Sequence, residues 1–268
     1  QRERAGERES AENYDDIRYT FESPNKQPAP VVLTHKPWIP ESLLWLGCTF
    51  MLALAPGAAI AGLFEDGSVA QMAANVTVLP VAILVAVAVW FQANRRIYHS
   101  PISLADTFGF NRKNTGRCLL LGLATGLGLV LIAMTLALMS SLLIQAFGNQ
   151  VEPQKLVTLI AEESASQENI GPLVFFVVMA VTVAPVAEEI LFRGILYPAV
   201  KQLGHPRVAV IGTALLFSLF HVNLLTFASL TAVALALIAL YEFTDNLLAP
   251  ITAHAVFNAS NLVMLIWQ

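Results

Sequence analysis

The stretch VFFVVMAVTVAPVAEEILFRGILYPAV, residues 174–200, begins as a membrane-spanning helix and then departs from that pattern. Residues 169–187 carry no Asp, Glu, Lys or Arg; Glu188, Glu189 and Arg193 then arrive together, and further apolar residues follow. The rest of the chain has the same apolar character. It has 268 residues, 56% hydrophobic and 13% charged, with a mean hydropathy of +0.64, more than a soluble core requires. Uncharged runs cover 42–64, 67–94, 118–151, 169–187, 208–241 and 246–268. A bilayer-spanning helix needs roughly 20 mostly apolar residues. The fold class is therefore an all-α polytopic membrane protein of about seven transmembrane helices.

The run 208–241 is 34 residues long, about 50 Å as a helix against a hydrocarbon core of about 30 Å. It is expected to break near His221–Val222–Asn223. Seven spans follow, at about 42–63, 74–92, 118–147, 172–200, 207–222, 225–242 and 247–267, or six if 208–241 is one bent helix. Three regions are expected: a polar tail over 1–37, N-terminal spans and loops over 38–171, and core helices over 172–268. The stretch 152–170 reads as a surface connection, with a short amphipathic helix as the alternative. The charged start at Gln1 does not read as a secretory leader, and a trimmed N-terminus is expected.

Positively charged loops alternate with loops that are not. Arg95, Arg96, Arg112, Lys113 and Arg117 crowd 93–117, whereas 64–73 has no Lys or Arg. Cytosolic loops carry the excess of Lys and Arg, so the N-terminus is expected in the cytosol. The small size and absence of targeting features favour a bacterial inner membrane. Cys48 and Cys118 are expected as packing residues without a disulfide. Nucleic acid is not expected as a partner; membrane lipid is.

The polar residues inside the apolar spans are few: Glu188, Glu189, Arg193, His221, His254, Asn258 and Asn261. A charge at the bilayer centre costs at least about 2.5–3.5 kcal/mol, so such residues face the interior, pair with one another, or function. Spans four and five should form a hairpin through Leu203–Arg207, where Gly204 and Pro206 stop and restart helices. Glu188 and His221 are equidistant from its centre at 204.5, so an antiparallel pair places them at one depth. His254 and Asn258 share a helix face at i and i+4. His254 reaches that depth if the hairpin tip projects beyond the bilayer. The set can then converge in a cavity open to the cytosolic side.

A carboxylate beside an imidazole can hold and deprotonate a water, and partial desolvation favours its work as a general base. A second His with an Asn can donate to a developing oxyanion. Glu189 and Arg193, at i and i+4, should pair. The two adjacent glutamates point about 100° apart and need not share a role. The constellation fits hydrolysis of an amide within the membrane. Asn261 is expected as interhelical glue. Trp90, Tyr197 and Trp267 are expected as interface anchors. His35, His99 and His205 are expected to be solvated, as are Glu242 and Asp245 at the last turn.

These residues also carry a resemblance. EEILFR, from Glu188 to Arg193, resembles the EExxxR motif of the CPBP family of CAAX proteases and bacteriocin-processing enzymes, also called ABI. FSLFH, Phe217 to His221, resembles its FxxxH motif, and HAVFN, His254 to Asn258, its HxxxN motif. The resemblance covers about 172–267. It implies a helical intramembrane endopeptidase acting on a membrane-associated peptide or protein. Carried over by residue, Glu188 and His221 would activate the water, and His254 and Asn258 would form the oxyanion site. Glu189, Arg193 and Phe217 would support them. No cofactor is expected. The alternative is Zn2+ on Glu188, His221 and His254, since three ligands plus a water is a catalytic pattern, although no HExxH pair favours it. A non-catalytic binding or immunity-type protein and a proton-coupled transporter are the competing classes.

Overall fold

A computed structural model describes residues 42–97, 103–110, 114–148, 150 and 170–267. Among the described residues there are seven long helices and no strand. They are α1 Ser42–Ala61, α2 Val69–Arg96, α3 Thr115–Ala146, α4 Ile170–Gln202, α5 Pro206–Phe220, α6 Leu224–Thr244 and α7 Leu248–Ile266. All but α5 are long and apolar enough to cross a bilayer. At 15 residues, α5 rises only about 22 Å, short of a roughly 30 Å hydrocarbon core. The chain is thus a polytopic all-α membrane protein. The fifth expected span, 207–222, is the short apolar helix Pro206–Phe220.

The break after α5 falls at His221–Asn223, as the length of the apolar run predicts. Val222 has a φ of 45°, and Asn223 caps α6 by accepting the Thr226 N–H at 3.0 Å. At the other end of α5, Gly204 turns the chain with a φ of 87°. The hairpin centre follows the expected register. Phe192 and Phe217, also equidistant from 204.5, meet edge to face at 5.2 Å.

Packing runs outward from α4. Its middle lies against α2 and α7, and its C-terminal part against α5, which packs on α6. α3 lies along both α6 and α7. Gly122 and Gly126 permit the closest of these approaches: a Cβ at Gly126 would stand 2.6 Å from the Ala253 carbonyl oxygen, and one at Gly122 2.7 Å from that of Ala249. Small residues four apart let helix backbones meet in lipid, where no hydrophobic effect drives helices together. This contact seats the His254 turn of α7. The other end of α7 is fixed by the segment from 103 to 110: the Leu247 N–H donates to the Phe108 carbonyl at 3.0 Å, and Phe108 fills the space beside Gly194 of α4.

Four residues expected at the surface or between helices lie elsewhere. Trp90 is fully buried and donates its indole N–H to Ser42 Oγ at 2.9 Å, joining α2 to α1. Tyr197 is buried and donates to Glu242 of α6, which also holds Lys201. Asp245 is buried in a left-handed turn whose N–H bonds the Tyr241 carbonyl at 2.8 Å. Asn261 bonds its own helix, at the Phe257 carbonyl. For Trp90 and Tyr197 an amphipathic side chain finds its partner inside the bundle, which an apolar-run count cannot distinguish from a place at the bilayer interface. Trp267 and His205 are exposed, as expected. The expectations for 1–37, 152–169, His35 and His99 lie outside the described residues.

Helix α4 is not a uniform α-helix. Met179–Val183 and Ile190–Leu196 are wound as π-helix, with α-helical turns on either side. Each π segment ends one residue before an X–Pro pair, Ala184–Pro185 and Tyr197–Pro198. Proline lacks the N–H that an α-helical ladder requires. A wider turn here lets the preceding donors reach back five residues: Ala184 N–H to Met179 and Tyr197 N–H to Phe192. The two glutamates sit on the α-helical turn between the two π segments.

Candidate active site

Four elements bring the polar residues of the bundle together. α4 supplies Glu188, Glu189 and Arg193; the end of α5 supplies Phe217 and His221; α7 supplies His254 and Asn258; α6 lends a backbone carbonyl. Glu189 is fully buried and stands at the centre. Its Oε1 accepts from Arg193 Nη1 at 2.9 Å and meets His254 Nδ1 at 2.8 Å. The i, i+4 pair expected from the sequence is therefore formed. Arg193 is also buried; its Nη2 donates to the Ala234 carbonyl of α6 at 3.2 Å, and its guanidinium lies over the Phe217 ring at 4.6 Å. A buried guanidinium needs this combination of carboxylate, carbonyl and aromatic face.

Glu188 points another way, as the angle between adjacent helical residues requires. Its side chain keeps 13% exposure, and its Oε2 faces His254 Nε2 at 3.9 Å. That separation is too long for a direct hydrogen bond. His254 thus stands between the two glutamates, one at each ring nitrogen. A carboxylate at Nδ1 fixes the ring orientation: Nδ1 donates to Glu189, and Nε2 turns towards Glu188.

His221 caps α5. Its Nδ1 meets the Phe217 carbonyl at 2.9 Å. A carbonyl only accepts, so this nitrogen carries the proton and Nε2 of the neutral ring is the free acceptor. Phe217 is the shared wall: His221 packs on its ring at 5.0 Å and His254 meets its edge at 5.7 Å. No hydrogen bond joins Glu188 to His221 among the described residues. Asn258, one turn beyond His254, donates from Nδ2 to the Ala180 carbonyl of α4 at 2.8 Å. Among the described residues no three His, Cys, Asp or Glu side chains are grouped to hold a metal ion.

The arrangement is more closed than the sequence suggests. Glu189, His254 and Phe217 are buried, and Glu188 and His221 retain partial exposure. Pro185, Phe192 and the Ala180 and Ala234 carbonyls were not singled out from the sequence. Pro185, three residues before the glutamate pair, was the available signal for the first π segment.

Glu189, Arg193 and His254 are thus buried together where α4, α6 and α7 meet, with the partly exposed Glu188 and His221 beside them. Residues 170–260 match the family model described as Rce1-like, Type II CAAX prenyl endopeptidase Rce1-like. The matched segment is about a third of the chain and contains all three motifs, in agreement with the resemblance they carry. No curated protein and no solved structure matches the chain.

Proposed function

We propose that this chain is an intramembrane endopeptidase that hydrolyses a peptide bond of a membrane-associated peptide or protein without a metal. The observation that carries the reading is the position of His254 between Glu188 and Glu189, inside helices that match the Rce1-like model. Glu188 and His221 Nε2 hold a water beside the scissile carbonyl. Glu188 takes a proton as the water attacks. An imidazolium at His254, held at Nδ1 by Glu189, donates from Nε2 to the oxyanion. Asn258 adds its second amide hydrogen, since the first is engaged by Ala180. On collapse, Glu188 returns the proton to the leaving amine. Glu189 and Arg193 orient and do not touch substrate. The alternation of Lys/Arg-rich loops supports a cytosolic N-terminus, in a bacterial inner membrane.

The test is cleavage of a panel of membrane-associated peptides by the purified chain, beside Glu188→Ala and His221→Ala. Cleavage by wild type and loss in both folded variants is expected. A wild type that cleaves nothing, with variants that still perform its cellular role, would replace this reading with a non-catalytic binding role.

A further inference from the structure

The contact between Asn258 and α4 has its origin in the backbone chemistry of one residue on a different helix. In an uninterrupted α-helix the Ala180 carbonyl would accept the N–H of Ala184. Here the Ala184 N–H reaches Met179 instead, five residues back. The next donor that could serve Ala180 across a π turn is residue 185, which is proline and has no N–H. Both backbone donors are thus unavailable to the Ala180 carbonyl. A carbonyl inside a bundle needs a partner, and the one it has is Asn258 Nδ2 at 2.8 Å. An amide group has two N–H donors in one plane. Fixing one on Ala180 fixes the direction of the other.

We propose that Pro185 is a positioning residue for Asn258: by holding Met179–Val183 in π form it frees the Ala180 carbonyl, and that carbonyl aims the Asn258 amide into the site. The proposal rests on the reading of Asn258 as an oxyanion donor, and it adds a residue outside the three motifs. With Pro185→Ala, the chain regains a backbone N–H at that position. α4 can then close its ordinary ladder: the Ala184 N–H returns to the Ala180 carbonyl, the restored N–H serves the Val181 carbonyl, and Asn258 loses its anchor. The loss falls on transition-state stabilisation rather than on substrate binding. kcat falls about 10- to 100-fold, up to the loss for a misplaced catalytic group and less than that for a missing oxyanion donor, while KM changes little.

The experiment has two readouts on the full chain in lipid nanodiscs. The first is the side-chain amide resonance of Asn258 in nitrogen-15 asparagine-labelled protein, assigned by Asn258→Asp. It is expected to shift in Pro185→Ala and to stay in place in Pro198→Ala, the matched change at the second π segment. The second is a double-mutant cycle on cleavage. Pro185→Ala is expected to lower kcat in the wild-type background and to cost nothing further in Asn258→Ala, because both changes remove the same interaction. An unmoved Asn258 resonance in Pro185→Ala overturns the proposal, as do losses that multiply in the double variant. Absence of cleavage by wild type bears instead on the endopeptidase reading, and the resonance alone then decides whether Pro185 positions Asn258.

Discussion

Removing Arg193 alone should damage the fold more than removing its whole ion pair. In Arg193→Met a side chain of similar length fills the space, but the Glu189 carboxylate, fully buried, loses the guanidinium 2.9 Å away. Breaking a buried pair from one side costs about 3–5 kcal/mol, because the remaining carboxylate loses its permanent counter-charge. The Ala234 carbonyl also loses its donor, about 1 kcal/mol more. A total of about 4–6 kcal/mol corresponds to a fall of roughly 10–20 °C in Tm for a chain of this size. Adding Glu189→Gln removes the stranded charge while keeping a side-chain acceptor for His254. The double variant should recover most of the lost stability but not the activity, since a neutral amide holds His254 less firmly. Thermal unfolding of the purified single and double variants in lipid nanodiscs measures both. If Arg193→Met unfolds within a few degrees of wild type, or the double variant is no more stable than the single, Glu189 is not a buried carboxylate dependent on Arg193. The electrostatic account of the site then fails.

Cleavage should persist after extended dialysis against a chelator, with a rate within about twofold of the untreated enzyme; loss restored by added Zn2+ would return the three-ligand reading. Gly126→Val should force α3 away from α7, because its Cβ alone would stand 2.6 Å from the Ala253 carbonyl oxygen; a loss of at least about 1–3 kcal/mol in unfolding is expected, and an unchanged Tm would show that the helices do not meet there. Val222→Gly should leave stability unchanged or raise it by up to about 1 kcal/mol, since a β-branched residue with a φ of 45° is strained and glycine is not; a clear loss of stability would mean that Val222 does not hold that conformation.

The sequence made the helices legible because lipid demands long uncharged runs. Bounds of 42–63 and 172–200 became Ser42–Ala61 and Ile170–Gln202, and the break at His221 followed from a run too long for one crossing. The hairpin register was equally readable, since antiparallel neighbours mirror about a turn and Phe192 meets Phe217 as that symmetry requires. What a hydrophobic count could not tell is which face of each helix meets protein and which meets lipid, because both are apolar. Trp90, Tyr197 and Asp245 were therefore expected at the wet ends of spans and lie inside the bundle instead. Gly122 and Gly126, where α3 meets α7, were not singled out from the sequence. The π segments of α4 were the hardest to foresee. They depend on where two prolines leave the helical ladder without a donor, and residue type alone does not say whether a helix then kinks, stops or widens. Hence the i, i+4 pairing of Glu189 with Arg193 could be anticipated, whereas the grip of Ala180 on Asn258 could not.

The most direct measurement of the central claim compares wild type with Glu188→Gln in water enriched in heavy oxygen. Each protein is reconstituted in nanodiscs with a membrane-associated peptide, and products are read by mass spectrometry. The account predicts that wild type releases a fragment whose new C-terminal carboxylate carries solvent oxygen, and that Glu188→Gln, equally stable, releases none. Cleavage by Glu188→Gln at the wild-type rate, or no cleavage by wild type of any membrane-associated peptide tested, would contradict it.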